Sequence, residues 1–167
     1  MGDLGDIVNA VTAVATVLDS NEVEAMPAHA HAIPRSSNIE TMRGWQGPQT
    51  IGWRWHTTSP ASRAGIASDN LFDVMVAWKF GGSQDGLGLF LHDAYVYVNV
   101  TSTMLAHSFT ITAKFDEHPT YEGDVRSPVA VLGGEVNIHH NYFKMTRNSA
   151  HLTFSIKGDG AGSIDRS

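Results

Sequence analysis

The chain has 167 residues, a length that suits one domain with a sizeable core and a short appendage. Hydrophobic residues make up 42% and charged residues 17%, which excludes a disordered or fibrous protein. The formal net charge is −6 and no run of Lys or Arg occurs, so nucleic acid is not expected as a partner. The chain has no cysteine, which excludes disulfides, thiolate zinc sites and cysteine nucleophiles.

Residues 3–18 have the apolar spacing of an amphipathic helix. The residues on its apolar face are Leu4, Ile7, Val8, Val11, Val14, Ala15 and Leu18. Asp3 can cap the first turn, but Val and Thr are abundant and lower the helix propensity. We therefore expect residues 1–20 to form a helix whose apolar face needs a partner: its own domain, a sister subunit or a membrane.

Residues 21–34 follow as a predicted hinge. Acidic residues come first, and Pro27 and Pro34 then bracket a short Ala/His stretch without apolar periodicity. We expect this segment to be unpacked and to join the helix to a β domain over residues 35–167.

Beyond residue 50 the apolar period changes to two, which is typical of strands with one buried face. The alternation is clear in 72–80, 109–115 and 151–157, whereas 87–103 is apolar on both faces and suggests a central strand or a bent pair. Turn residues occur at 81–86 and at 146–149, and Gly133-Gly134 predicts a turn or a bulge. Six to eight strands without a further helix predict a mainly β protein, an antiparallel β-sandwich with an N-terminal helix.

No catalytic motif is present, so we do not expect an enzyme. Of the nine histidines, His29 and His31 lie in the predicted hinge, and the adjacent His139 and His140 point to opposite faces of a strand. Neither pair predicts a metal site, and no cofactor is expected. Two interpretations of the histidines stay open: ordinary surface polarity, or a net charge that changes sign near pH 5 and attracts an anionic membrane.

The segment from Trp45 to Trp55 is the most unusual local feature, with three Trp residues around Gly and Pro. Trp45 lies in a loop, where an indole contacts a sugar, a lipid headgroup or a partner. Trp53 and Trp55 share one strand face and are either core residues or part of a binding surface. We add Tyr95 and Tyr97 as further candidates for binding a ligand or headgroup.

The order of parts, namely apolar helix, hinge and cysteine-free β domain with aromatic loops, resembles the actinoporin-like cytolysins and the related fungal fruit-body lectins. Residues 148–156, with an Asn-Ser turn, a His and alternating apolar residues, look like that family's last strand. The family's basic surface has no counterpart in this acidic chain, and no aromatic cluster surrounds Tyr95 and Tyr97.

The resemblance implies a pore-forming toxin that docks on a lipid membrane through aromatic loops and inserts its N-terminal helix as a homo-oligomer. The acidic N-terminus of this chain does not fit a classical signal peptide, so we expect a toxin to be secreted or released by another route. The alternatives are a lectin-like module that binds a glycan, and a self-assembling structural protein; for these we expect a cytoplasmic location.

Overall fold

A computed structural model describes residues 14–19, 29–34, 37–58, 69–104, 107–142 and 145–167. Within these ranges the chain is mainly β and contains no helix. The strands are β1 Val14–Asp19, β2 Ala30–Ala32, β3 Gln46–Thr58, β4 Asp69–Gln84, β5 Leu87–Ser102, β6 His107–Phe115, β7 Thr120–Asp124, β8 Ser127–Tyr142, β9 Met145–Lys157 and β10 Gly162–Arg166.

The ten strands form a nearly closed sheet. Its main path runs β1-β6-β8-β5-β4-β3, while β9 joins β8 to β10, β2 pairs with β5, and β7 pairs with β8. All ladders are antiparallel except one bridge between β5 and β8, where Leu89 lies beside Val129 in parallel. Strand β3 pairs with β4 along one edge, and its other edge contacts β10.

Alternating side chains of the long strands meet in one hydrophobic core. The rings of Trp55, Phe72 and Phe109 form its aromatic centre, with centroids 4.8 to 5.9 Å apart. Trp78 is fully buried, and its indole N–H donates to the Lys157 carbonyl at 3.1 Å, which links β4 to β9. These contacts join strands that are distant in sequence and fix which faces remain accessible.

The alternating segments 72–80, 109–115 and 151–157 are confirmed as parts of β4, β6 and β9. The doubly apolar segment 87–103 corresponds to the single strand β5, which pairs with β4 and β2 and bridges to β8. Of the predicted turn 81–86, Asp85 and Gly86 form the turn between β4 and β5, both with positive φ, whereas 81–84 belong to β4. An Asp-Gly pair suits this two-residue hairpin turn because both positions need left-handed backbone.

Two predicted turns are wrong. Gly133 and Gly134 lie inside β8, which runs unbroken past both residues. Here glycine makes room for a neighbour, because a β-carbon on Gly134 would overlap the ring of Phe154. The segment 146–149 likewise belongs to β9, where it pairs with the end of β8. Tertiary pairing outweighs local turn preference at both places.

The predicted N-terminal helix is wrong at its end, where Val14 and Leu18 belong to β1. Each residue from Val14 to Asp19 pairs with one from Ser108 to Ala113 of β6. The physical reason is composition, because β-branched residues such as Val14 and Val17 favour a strand when a partner strand is available. The other residues of the predicted apolar face, Leu4, Ile7, Val8 and Val11, lie outside the described residues. No helix in the described ranges could cross a bilayer.

The predicted hinge is also wrong at its C-terminal end. Ala30–Ala32 form β2 against β5, and Ala30, Ala32 and Ile33 are buried in the core. Alanine side chains are small enough to pack closely there, although they give little apolar periodicity in the sequence. Residues 21–28 lie outside the described ranges.

Candidate functional site

A cleft of about 330 Å³ opens where β3 approaches β10 and the start of β9. We call it the β3–β10 cleft, and its lining residues are Trp53, Arg54, Trp55, His56, Thr57, Asn148 and Arg166. Its volume falls at the lower end of the range for small-molecule sites, about 300–1,000 Å³. The lining combines aromatic surface with several hydrogen-bonding side chains.

Trp53 and Trp55 give the cleft its apolar wall. They are two apart on β3, so both side chains point to the same face. Trp55 is buried, 4% exposed, whereas Trp53 is half-buried and packs against the edge of the core. Their rings are 6.1 Å apart at 71°, an edge-to-face arrangement in which Trp55 fixes Trp53. Part of the Trp53 indole thus stays accessible on a rigid support.

Arg54 and His56 lie on the other face of β3, where both pair with acids of β4. Arg54 donates Nε to Asp73 Oδ1 at 2.8 Å and Nη2 to Asp73 Oδ2 at 3.1 Å. This bidentate hydrogen bond lowers the pKa of Asp73 and raises that of Arg54. His56 Nε2 lies 3.3 Å from Asp69 Oδ2. The two acids therefore hold both side chains along the outer face.

Arg166 and Asn148, from β10 and β9, complete the lining of the cleft. Arg166 ends β10 beside Leu152, and the following Ser167 N–H donates to the His151 carbonyl at 3.1 Å. Asn148 is exposed on β9 and pairs in register with His140 of β8. Both side chains are therefore attached to paired strands rather than to free loops.

Beneath the cleft lies a buried polar network. The Met104 N–H donates to Asn70 Oδ1 at 2.8 Å, so the Asn70 amide nitrogen must donate to its other two neighbours. These are Thr57 Oγ1 and His107 Nδ1, each 3.1 Å away. Thr57 also lines the cleft, so the network reaches its surface.

Half-buried His107 and buried His140 complete this network, and we call them the histidine pair. His107 Nδ1 lies 2.7 Å from His140 Nε2, and the hydrogen between the two rings belongs to one of these nitrogens. The His140 ring also stacks on Phe109 and meets Trp55 edge-on. Burial lowers the pKa of both histidines, and His107 lowers that of His140 further. Both rings are therefore neutral at pH 7.

Trp45 is half-buried away from the cleft, at the far end of β4. Its ring covers Gly82, where a β-carbon would overlap the indole, and meets His92 edge-on at 4.2 Å. Its Nε1 donates to the Ile39 carbonyl at 3.4 Å. These contacts make Trp45 a support for the 39–45 loop.

Tyr95 and Tyr97 form a second aromatic patch on the outer face of β5, with centroids 5.7 Å apart. His29 adjoins Tyr95, and its Nδ1 lies 2.6 Å from Asp93 Oδ1, while Lys79 contacts Oδ2 at 3.2 Å. Partial burial opposes ionisation of Asp93, but hydrogen bonds from Lys79 and His29 outweigh it and lower its pKa. This patch is half-buried, and its polar groups are paired with one another.

The structure thus brings together two of the five aromatic candidates, Trp53 and Trp55, and leaves Trp45 and the Tyr95–Tyr97 pair elsewhere. Sequence reasoning missed Arg166 and Asn148, whose only signal was the weak apolar alternation around Ile164 and Ala150. Among the described residues, no three His, Asp or Glu groups are placed to hold a metal ion.

The structure also bears on the proposed histidine charge switch. Burial lowers the pKa of four histidines, which therefore gain charge only below their ordinary range. The four are His31, His92, His107 and His140. The switch itself stays a prediction.

Comparisons of the chain with protein-family models, with curated proteins and with solved structures find no match.

Proposed function

We propose that the protein is a carbohydrate-recognition module that binds a sugar residue in the β3–β10 cleft. The observation that carries this proposal is the partly accessible indole of Trp53, rigidly backed by Trp55, in a cleft with polar walls. A sugar ring has an apolar C–H face and a rim of hydroxyl groups. The C–H face packs against an aromatic surface, and the hydroxyl groups form hydrogen bonds with Thr, Asn and Arg side chains.

The other aromatic candidates fit this role less well. Trp45 covers Gly82, and Tyr95 and Tyr97 pack side by side on β5 beside an ion-paired Asp93. In the described ranges the exposed large hydrophobic side chains are Leu87 and Val125, which are aliphatic and sit at two different hairpins. The aromatic surface that a headgroup-docking loop needs is thus less developed than the Trp53 cleft.

An array of neutral and acidic glycans, probed with the full chain, tests the proposal. We expect binding to at least one glycan class, and we expect Trp53→Ala to lose it because the stacking surface is removed. Trp45→Ala is the matched control, since it removes the same side chain outside the cleft. Circular dichroism checks that both variants fold. No glycan binding by the wild type, or equal binding by Trp53→Ala, would overturn the proposal.

We further propose that the nearly closed sheet is organised as a β-sandwich. In this arrangement one layer consists of β2, β5, β4 and β3, and it packs against a second layer of β1, β6, β8, β9 and β10. Contacts between the two groups of strands support it, for example Trp55 with Phe109 at 5.6 Å. The likeness to actinoporin-like proteins stays a proposal about this architecture.

Pore formation through the N-terminal segment stays a prediction. It is tested by release of dye from liposomes with the full chain and with Val8→Asp, which places a charge on the predicted apolar face. Release by the wild type that Val8→Asp abolishes would favour a membrane-active protein over the glycan-binding proposal. Self-assembly, the third hypothesis, is tested by sedimentation of the full chain.

A further inference from the structure

Arg166 is directed into the β3–β10 cleft by the alternation of β10. Ile164 packs against the core, so Arg166, two residues later, shares its face of the strand, whereas Asp165 points the other way. Arg166 therefore lines the same cleft as Trp53 and Trp55. Its strand is held to the end by the hydrogen bond from Ser167 to His151.

Among the described residues that line the cleft, Arg166 is also the cation without an ion-pair partner. Arg54 is engaged by Asp73 through two hydrogen bonds, and His56 lies against Asp69. Arg166 forms no ion pair with any residue in the described part of the chain. No acid in the described ranges lines the cleft, although the chain as a whole carries a net charge of −6.

A free guanidinium has five N–H donors in a planar fork that matches a carboxylate or sulfate. In the same cleft as the partly accessible Trp53 indole, it adds a requirement for negative charge to a surface that stacks on a sugar ring. We infer that the ligand of the cleft is an acidic sugar, with its ring on Trp53 and its carboxylate or sulfate on Arg166. This inference rests on the proposed function and specifies its ligand class.

The experiment compares glycans in matched pairs: a uronate oligosaccharide and its methyl ester, a sialylated glycan and its desialylated form, a sulfated glycan and its unsulfated form. We expect the full chain to bind the acidic member of at least one pair at least about tenfold more tightly than the neutral member. Arg166→Gln should lose about tenfold to a hundredfold in affinity, as expected when a charged hydrogen-bond donor is removed. The affinity of Arg166→Lys should fall between those of the wild type and Arg166→Gln, since lysine keeps the positive charge but lacks the planar guanidinium.

Arg126→Gln is the matched control, because it makes the same charge change in the β7–β8 hairpin, outside the cleft lining. Equal binding of both members of each pair, or unchanged binding by Arg166→Gln, would overturn the acidic-sugar inference and leave the carbohydrate proposal standing. Absence of binding to every glycan would overturn both. Arg166-dependent binding to phosphatidylserine vesicles without glycan binding would assign the anion to a lipid and overturn the inference as well.

Discussion

Acidification should destabilise the fold through the histidine pair, His107 and His140. In a protonated His107, Nδ1 carries a hydrogen and can accept neither from Asn70 Nδ2, 3.1 Å away, nor from His140 Nε2, 2.7 Å away. Protonating His140 would charge its Nδ1, which is buried and has no hydrogen-bond partner among the described residues. Burial lowers the pKa of each ring below its ordinary value, and the neighbouring His107 lowers that of His140 further; both contacts oppose protonation in the same direction.

The sign and size of the effect follow from linkage. Below about pH 6.5 the unfolded chain binds more protons at these two residues than the folded chain does, so the stability that the neutral pair contributes is present above that pH and lost as pH falls. Each histidine changes the free energy of unfolding by at most about 1.4 kcal/mol per pH unit, and the pair by at most about 2.7 kcal/mol.

The assay is urea unfolding between pH 7 and pH 5 for the wild type and His140→Phe. Phenylalanine keeps the stacking on Phe109 and Trp55 but does not titrate. We expect the wild type to lose stability relative to this variant by up to about 1.4 kcal/mol per pH unit. His139→Gln, at an exposed neighbouring position, should follow the wild type. A stability difference between wild type and His140→Phe that is constant across this range would refute the reasoning.

Three further outcomes follow from packing and from the network beneath the cleft. Trp55→Ala should lower the free energy of unfolding by about 3–5 kcal/mol, because it empties the aromatic centre of the core. Its control, Val125→Ala at an exposed hairpin, should change the free energy of unfolding by less than about 0.5 kcal/mol. Urea unfolding measures both. Gly134→Ala should cost about 1–3 kcal/mol by overlap with the Phe154 ring, and Phe154→Leu in the same chain should recover part of the loss in thermal unfolding. Asn70→Leu should weaken glycan binding without touching the cleft, since it leaves Thr57 without its donor; calorimetric titration that gives wild-type affinity would contradict this link.

Much of the β structure was predictable because alternation records which face of a strand is buried. The segments inside β4, β6 and β9 carry that signal on every second residue. Strand β1 was predicted as part of a helix because the spacing of Val14, Leu18 and the apolar residues between them fits both a helix and a paired strand. Pairing with β6, which the local sequence does not reveal, selects the strand. Strand β2 was missed because buried alanines at two positions leave little hydrophobic contrast.

The candidate site was predictable only in part. Trp53 and Trp55 stand out in the sequence because they are two apart and aromatic. Asn148 and Arg166 lie far along the chain and reach the cleft through the pairing of β9 with β10 and the approach of β10 to β3. Neither residue belongs to a local motif. Predicting them as site residues would have required the long-range strand pairing, which the sequence pattern does not give.

The most direct test of glycan recognition in the β3–β10 cleft follows the four indole N–H signals in a ¹H–¹⁵N spectrum while the best-binding array glycan is added. Variants Trp45→Phe and Trp53→Phe assign the two signals that matter. We expect the Trp53 signal to shift with saturation and the Trp45 signal to stay in place. A shift confined to Trp45, or no shift of Trp53 at saturating glycan, would contradict recognition in this cleft.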